Sequence, residues 1–201
     1  MRKASLELGL QLGRQEKQNV MDRIIITGGP GSGKSTLINQ LSLRGYHCVP
    51  EVSRVLIQEQ VATESDCLPW RNLNCFAHLA LDRMILDYNC NLQAGETAFF
   101  DRGIPDIIAY LKVGAIPLDI RFDLAARQHR YHTIVFVAPP WREIYVNDEE
   151  RWQTFDESTL LYDEIVSTYK HLGYKMKELP MTSVASRCDF IISVIQSPLN
   201  S

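Results

Sequence analysis

Two hydrophobic rhythms alternate along the chain. Residues 22–29, DRIIITGG, form a β-branched run closing on glycines, the pattern of a strand buried on both faces. Residues 34–44 read as a helix, with Gly45 placed as its C-cap glycine. YHCVPE (46–51) is a second strand candidate, 52–61 a second helix and ATESDCLP (62–69) a loop. Across 71–93, Leu73, Phe76, Ala77, Ala80, Leu81, Met84 and Tyr88 follow the i, i+3, i+4 stripe of an amphipathic helix, which Gly95 stops. TAFFD (97–101) is a third strand. IPDIIAYLKV (104–113) is a helix with Pro105 in its first turn, where a missing N–H costs nothing. LDIRFDLAARQH (118–129) reads as helix and TIVFVAPP (133–140) as a fourth strand. Thr154 and Glu157 form a Thr-x-x-Glu capping box opening a helix that runs to about Leu172, and Gly173 ends it. YKMKELP (174–180) is a short fifth strand and SVASRCDFIISVI (183–195) a last helix. Strands separated by helical crossovers predict an α/β domain whose parallel sheet is covered on both faces.

At 201 residues, with no internal repeat or linker, residues 21–201 read as a single domain. Residues 1–20 read as an N-terminal extension, a tail or short helix, dispensable for the fold. The net charge of −3 argues against a general nucleic-acid or anionic-membrane surface. No stretch approaches the ~20 apolar residues of a membrane span. Cys48, Cys67, Cys75, Cys90 and Cys188 show no C-x-x-C spacing and are odd in number, so reduced thiols and a cytoplasmic location are expected.

Residues 28–35, Gly-Gly-Pro-Gly-Ser-Gly-Lys-Ser, satisfy G-x-x-x-x-G-K-[ST] between a strand and a helix. Glycines let backbone N–H groups curl around phosphate oxygens, and the helix N-terminus adds positive potential. The phosphate-binding candidates are Gly29, Pro30, Gly31, Ser32, Gly33, Lys34, Ser35 and Thr36. Lys34 would meet the β- and γ-phosphates of a nucleoside triphosphate, and the Ser35 hydroxyl would ligate Mg²⁺. The dinucleotide fingerprint G-x-G-x-x-G is absent.

Such a loop needs a second carboxylate near the metal, at the end of a neighbouring strand. Asp101 closes the third strand and is the candidate, as a catalytic and metal-binding group with Ser35. Arg102 follows it and offers a planar fork to a phosphate or carboxylate. Glu51, closing the second strand, is a candidate general base for an acceptor hydroxyl, or equally an N-terminal charge for the next helix. Arg142 and Arg151 lie in a segment near 141–157 with the composition of a lid; they are candidates to neutralise phosphate charge, or solvated surface charges. Trp70, Phe76 and Tyr110 are either acceptor-pocket aromatics or core.

The run ITGGPGSGKSTLINQL with VPEVSR, FFDRGIPDIIAYL and VFVAPPW resembles a family of small predicted ATPases that carry an AAA-domain label. That family is similar to nicotinamide riboside kinase domains and, more distantly, to deoxynucleoside and nucleoside monophosphate kinases. The resemblance implies a P-loop NTPase fold with a five-stranded sheet in the kinase-like order 2-3-1-4-5, and ATP with Mg²⁺ as cofactors. In deoxynucleoside kinases an acid after the second strand acts as base, an Asp/Glu-Arg-Ser stretch follows the third strand, and a lid carries arginines. Glu51, Asp101-Arg102 and Arg142/Arg151 match those places, with Gly103 departing from the serine. The expected function is Mg²⁺-dependent phosphoryl transfer from ATP to a small acceptor such as a nucleoside-like metabolite. The alternative is a nucleotide-dependent regulatory ATPase with a macromolecular partner. No Asn-Lys-x-Asp marks GTP specificity, and no Leu-Ser-Gly-Gly-Gln marks an ABC ATPase.

Overall fold

Residues 22–89, 96–145 and 154–197 are described in the structure, a computed structural model. Five strands form the sheet: β1 (Asp22–Gly28), β2 (His47–Val49), β3 (Thr97–Asp101), β4 (Ile134–Ala138) and β5 (Lys175–Glu178). All neighbours pair parallel, in the order β2-β3-β1-β4-β5, as expected. The described helices are α1 (Lys34–Leu43), α2 (Val52–Ala62), α3 (Leu73–Tyr88), α4 (Ile104–Val113), α5 (Ile120–Gln128), α6 (Phe155–His171) and α7 (Val184–Gln196). A single 3₁₀ turn occupies Arg142–Ile144.

Strand alternation divides the core. Ile24, Ile26, Phe99 and Phe136 face α1 and α7, packing on Leu37, Leu41, Cys188 and Ile191. Their neighbours Ile25, Ala98, Phe100 and Val135 face the other way, onto Ala109 of α4 and Leu161, Ile165 and Tyr169 of α6. Burial on both faces explains why β1 reads as an unbroken apolar run. A third cluster builds outward from α4, joining Val52 and Leu56 of α2, Phe76, Leu81 and Met84 of α3 and Phe122 of α5.

Local signals set several boundaries. The capping box forms: Thr154 N donates to Glu157 Oε2 at 2.6 Å, and Glu157 N to Thr154 Oγ1 at 3.2 Å. Helix α3 starts at Leu73 because the Asn72 side chain accepts from Cys75 N at 3.0 Å. That helix ends at Tyr88, capped at Asn89, short of the expected residue 93 because the chain turns there; Gly95 and the extension 1–20 lie outside the described residues.

One expectation fails. Cys67 and Cys75 are joined in a disulfide, with Cα atoms 5.3 Å apart. A tight turn brings them together: Arg71 N and Asn72 N both bond to the Leu68 carbonyl, folding the chain back onto the first turn of α3. Sequence spacing alone does not reveal that turn. Cys48 and Cys188 are free, and Cys90 lies outside the described residues. The argument for a reducing compartment therefore loses part of its support.

Parallel pairing aligns the carboxyl ends of the strands at one edge. Ile26 pairs with Asp101, and Val49 with Phe100, so Glu51, Asp101 and the loop after Gly28 meet there. That is the ligand edge of an open α/β sheet.

For a closed loop of this length the chain-entropy treatment assigns the disulfide about 2–3 kcal/mol. Reduction by dithiothreitol should lower Tm by about 5–10 °C, and Cys67→Ser should melt alike with or without reductant. An unchanged wild-type Tm would show that the bridge does not stabilise the fold.

Candidate nucleotide and acceptor site

Strand β1 ends in a loop whose shape depends on glycine. Gly31 and Gly33 sit at φ +73° and +80°, left-handed conformations that other residues adopt at a cost. The loop is tied to itself and to α6: Ser32 Oγ donates to the Gly29 carbonyl at 2.8 Å, and Ser158 Oγ to the Pro30 carbonyl at 2.9 Å. The ring of Tyr145 packs so closely over Gly31 that a Cβ there would lie 2.5 Å from it. Helix α1 starts at Lys34, so its N-terminus and the glycine turn share one concavity.

Lys34 is buried and donates to the Gly29 carbonyl at 2.8 Å. Burial and neighbouring Arg102 lower its ammonium to about 8, so it stays charged at neutral pH. Ser35 Oγ reaches Asp101 Oδ2 at 3.4 Å. The other oxygen of Asp101, Oδ1, is buried with no hydrogen-bond partner. Burial, and then the nearby Glu51, raise Asp101 to about 6 against the partial opposition of Lys34 and Arg102. Among the described residues no group of three His, Cys, Asp or Glu forms a metal cage. A hydroxyl beside an orphaned carboxylate oxygen fits the other arrangement, in which Mg²⁺ takes one or two protein oxygens and completes its shell with phosphates and water.

Asp101 and Arg102 part company through the backbone. Arg102 adopts φ +74°, strained for a residue with a Cβ by about 1–3 kcal/mol, while its N–H still bonds to the Ile26 carbonyl at 3.0 Å. Its guanidinium turns away from Asp101. Nε donates to Glu51 Oε1 at 2.8 Å, and a terminal nitrogen donates to the Gly28 carbonyl at 2.9 Å and to Asp106 Oδ1 at 3.3 Å. Asp106 is fixed in turn by the Thr27 hydroxyl, by Tyr169 Oη at 2.5 Å and by Gly103 N at 2.9 Å. Burial alone would raise the Glu51 carboxyl; Arg102 and Lys34 more than offset that and hold it at about 2. Gly103 is dictated by space, since a Cβ there would come within 3.1 Å of the Tyr169 hydroxyl and closer still to Ile25.

A cleft of about 920 Å³, open solvent included, runs from this loop between α2, α3 and α4. Pro30 to Ser35, Glu51, Arg102 and Asp106 line its polar end. Phe76 and Tyr110 also line the cleft, Tyr110 with its ring 5.4 Å from the Arg102 guanidinium, while half-exposed Trp70 stays out of it. Gly29 lies beneath the loop, and Thr36 is exposed on α1 away from the cleft lining. Arg142 is not brought to the cleft: it stacks over Phe155 at 4.2 Å and lies 3.9 Å from Asp156. Arg151, with residues 146–153 of the 141–157 segment, lies outside the described residues.

Several participants carry no motif. Asp106 anchors Arg102; its signal was a lone acid inside the apolar run IPDIIAYL, unlikely to be buried without a partner. Arg187 of α7 is buried and donates to the Ser32 carbonyl at 3.2 Å, bracing the loop from that helix. Nothing in its local sequence marks it.

The phosphate loop, the acid closing β3 and the strand order define a P-loop NTPase fold of the kinase-like type. A family model described as an AAA domain matches residues 23–187, and the chain belongs to that family. No curated protein sequence matches it. Among solved structures it is similar to a deoxyadenosine kinase from M. mycoides with bound dATP, at 18% identity and TM-score 0.63, over 88% of this chain and 100% of that one. A thymidylate kinase from Candida albicans aligns at 16% identity and TM-score 0.58, over 88% and 92%. A shikimate kinase from Acinetobacter baumannii in complex with shikimate aligns at 15% and 0.56, over 91% and 97%.

Asp106→Ala should destabilise the fold by about 3–5 kcal/mol in urea, because it strands a buried guanidinium; a loss under about 1 kcal/mol would show that Arg102 does not need it. Acid should expose the Glu51 pair. A carboxyl that ionises near 2 in the fold, against 4.5 ordinarily, stabilises fully above the higher value and loses that contribution as pH falls toward the lower. The Tm gap between wild type and Glu51→Gln should therefore narrow from pH 5 to pH 3, and a constant gap would contradict the pairing.

Proposed function

We propose that this protein is a phosphotransferase that moves the γ-phosphoryl group of ATP to the hydroxyl of a small-molecule acceptor, with Mg²⁺. One observation carries the reading: one cleft joins the phosphate loop to a partly open pocket walled by α2, α3 and α4, and Glu51 lines it beside the loop. A nucleotide switch needs the loop but not the pocket. The fold's likeness to deoxyadenosine, thymidylate and shikimate kinases supports the same class.

The chain's own groups have distinct tasks. Loop N–H groups and the start of α1 hold the phosphates, and Lys34 exchanges its Gly29 carbonyl for phosphate oxygens. Ser35 and Asp101 would hold Mg²⁺, which when bound neutralises phosphate charge. Asp101 must be ionised to do so, as it is above about pH 6. Glu51, at about 2, is a poor proton store; it accepts a hydrogen bond from the acceptor hydroxyl and aims its oxygen at the phosphorus. Transfer through a loose transition state asks mainly for such positioning and charge compensation. The acceptor oxygen gains the phosphoryl group, its proton leaves to solvent or phosphate, and ADP departs. Arg102 is the positioning residue for Glu51. Arg142 and Arg151 would join only if the 141–157 segment closes over bound nucleotide. A reaction that consumes ATP is assigned to the cytoplasm, where ATP is supplied; among the described residues no helix is long and apolar enough to cross a membrane.

Incubation with γ-labelled ATP, Mg²⁺ and a metabolite extract should transfer label to a small molecule. Lys34→Ala should remove that transfer by at least a hundredfold, together with the thermal shift that ATP induces. Acceptor-independent hydrolysis, with no labelled product, would favour the regulatory ATPase instead.

A further inference from the structure

The acceptor end of the cleft has a chemistry of its own. Its walls are Ile57 of α2, Leu73, Phe76, Ala80 and Met84 of α3, and Ile107 of α4. The Cys67–Cys75 bridge sets the rim, closing the turn that carries Pro69 and Leu73 into the lining. Outside the phosphate loop, the described lining residues with polar side chains are Glu51, Ser53, Arg54, Arg102, Asp106 and Tyr110. They cluster where β2 meets α2 and along the first turns of α4, next to the loop, with the Tyr110 ring 5.4 Å from the Arg102 guanidinium. None is a carboxamide.

The charges there are already matched. Arg102 is held by Glu51 and Asp106, and Arg54 lies 3.9 Å from Glu51. The described cation of that half with most access to solvent is Arg54, and the Glu51 carboxylate beside it, shared with Arg102, offsets its attraction for an anion on the acceptor. A nucleobase fares little better. Phe76 offers a face for stacking, but the donors and acceptors on the base edge would be stripped of water against Leu, Met, Ile and Ala side chains. A hydrocarbon body loses nothing by that transfer and gains from it.

Resting on the kinase reading above, we propose that the acceptor is an uncharged alcohol on a hydrophobic body, aryl or branched hydrocarbon, rather than a nucleoside or an anionic metabolite. Its hydroxyl sits at Glu51 beside the phosphate loop, and its body lies between α3 and Ile107. The bond formed joins the alcohol oxygen to the γ-phosphorus, the bond broken is that between this phosphorus and the β–γ bridging oxygen, and the products are a phosphate monoester and ADP.

The test uses the full chain with γ-labelled ATP and Mg²⁺. Cinnamyl alcohol and geraniol are compared with deoxyadenosine, thymidine, thymidine monophosphate and shikimate. The same compounds are titrated calorimetrically in the presence of a non-hydrolysable ATP analogue. The better alcohol should exceed every nucleoside and anion by at least tenfold in kcat/KM. Met84→Gln should raise the KM for that alcohol by at least tenfold while leaving the ATP-induced thermal shift in place, which reports that the variant is folded. A nucleoside or anion phosphorylated faster than both alcohols would overturn the proposal. If nothing is phosphorylated but the alcohols bind saturably and tighter than the nucleosides, the pocket's chemistry stands and the kinase reading falls. If nothing is phosphorylated and neither alcohol binds, both fall.

Discussion

A buried guanidinium organises this molecule. Arg102 leaves the end of β3 in a left-handed conformation and is almost wholly buried, so its charge must be answered from within. The answers come from Glu51 after β2, from the Gly28 carbonyl at the end of β1 and from Asp106 on α4, and Asp106 draws in Thr27 and Tyr169. One side chain thereby pins the carboxyl ends of three adjacent strands to two helices. Removing any member leaves another polar group without water or partner, which is why the edge holds a single geometry.

That arrangement also decides what remains open for chemistry. Because Arg102 is satisfied elsewhere, it does not neutralise its chain neighbour Asp101. Asp101 keeps one buried oxygen without a partner beside the Ser35 hydroxyl. A carboxylate so placed resists ionisation, and a cation between it and a phosphate relieves that cost. Glu51 experiences the reverse, ionised more readily than an ordinary glutamate because Arg102, Lys34 and Arg54 face it. Two acids at one sheet edge are thus set to opposite tendencies by their neighbours. Beyond them the cleft turns apolar, so its two ends suit two parts of a reaction: charged phosphates at the loop, and a body that prefers to leave water at α3.

Much of the scaffold was legible. The apolar run 22–28, the stripe beginning at Leu73, the Thr154–Glu157 box and the phosphate loop each depend on residues a few positions apart, and each formed as the local pattern requires. The pairing of Ser35 with Asp101 was legible too, because strand ends in a parallel sheet share an edge. Arg102 was harder. Its sequence suggests a fork aimed at a ligand, whereas its strongest partners are protein groups. Asp106 and Arg187 carry no motif, and their roles arise from burial. The Cys67–Cys75 bridge depends on a turn around Leu68 that its composition does not announce. Arg142 had the right charge in the right segment, yet it lies against Phe155 rather than the loop.

The sequence by itself determined the order of strands and helices, the glycine cradle with Lys34 at its mouth, and the acids that close β2 and β3, because hydrophobic period, capping and backbone freedom act over a few residues. Only the tertiary structure decided which acid Arg102 would hold, which would be left with an unpartnered oxygen, and that the cleft beyond them would be walled by hydrocarbon. Those outcomes depend on distances between elements far apart in the chain, and on how much water packing leaves around each charge.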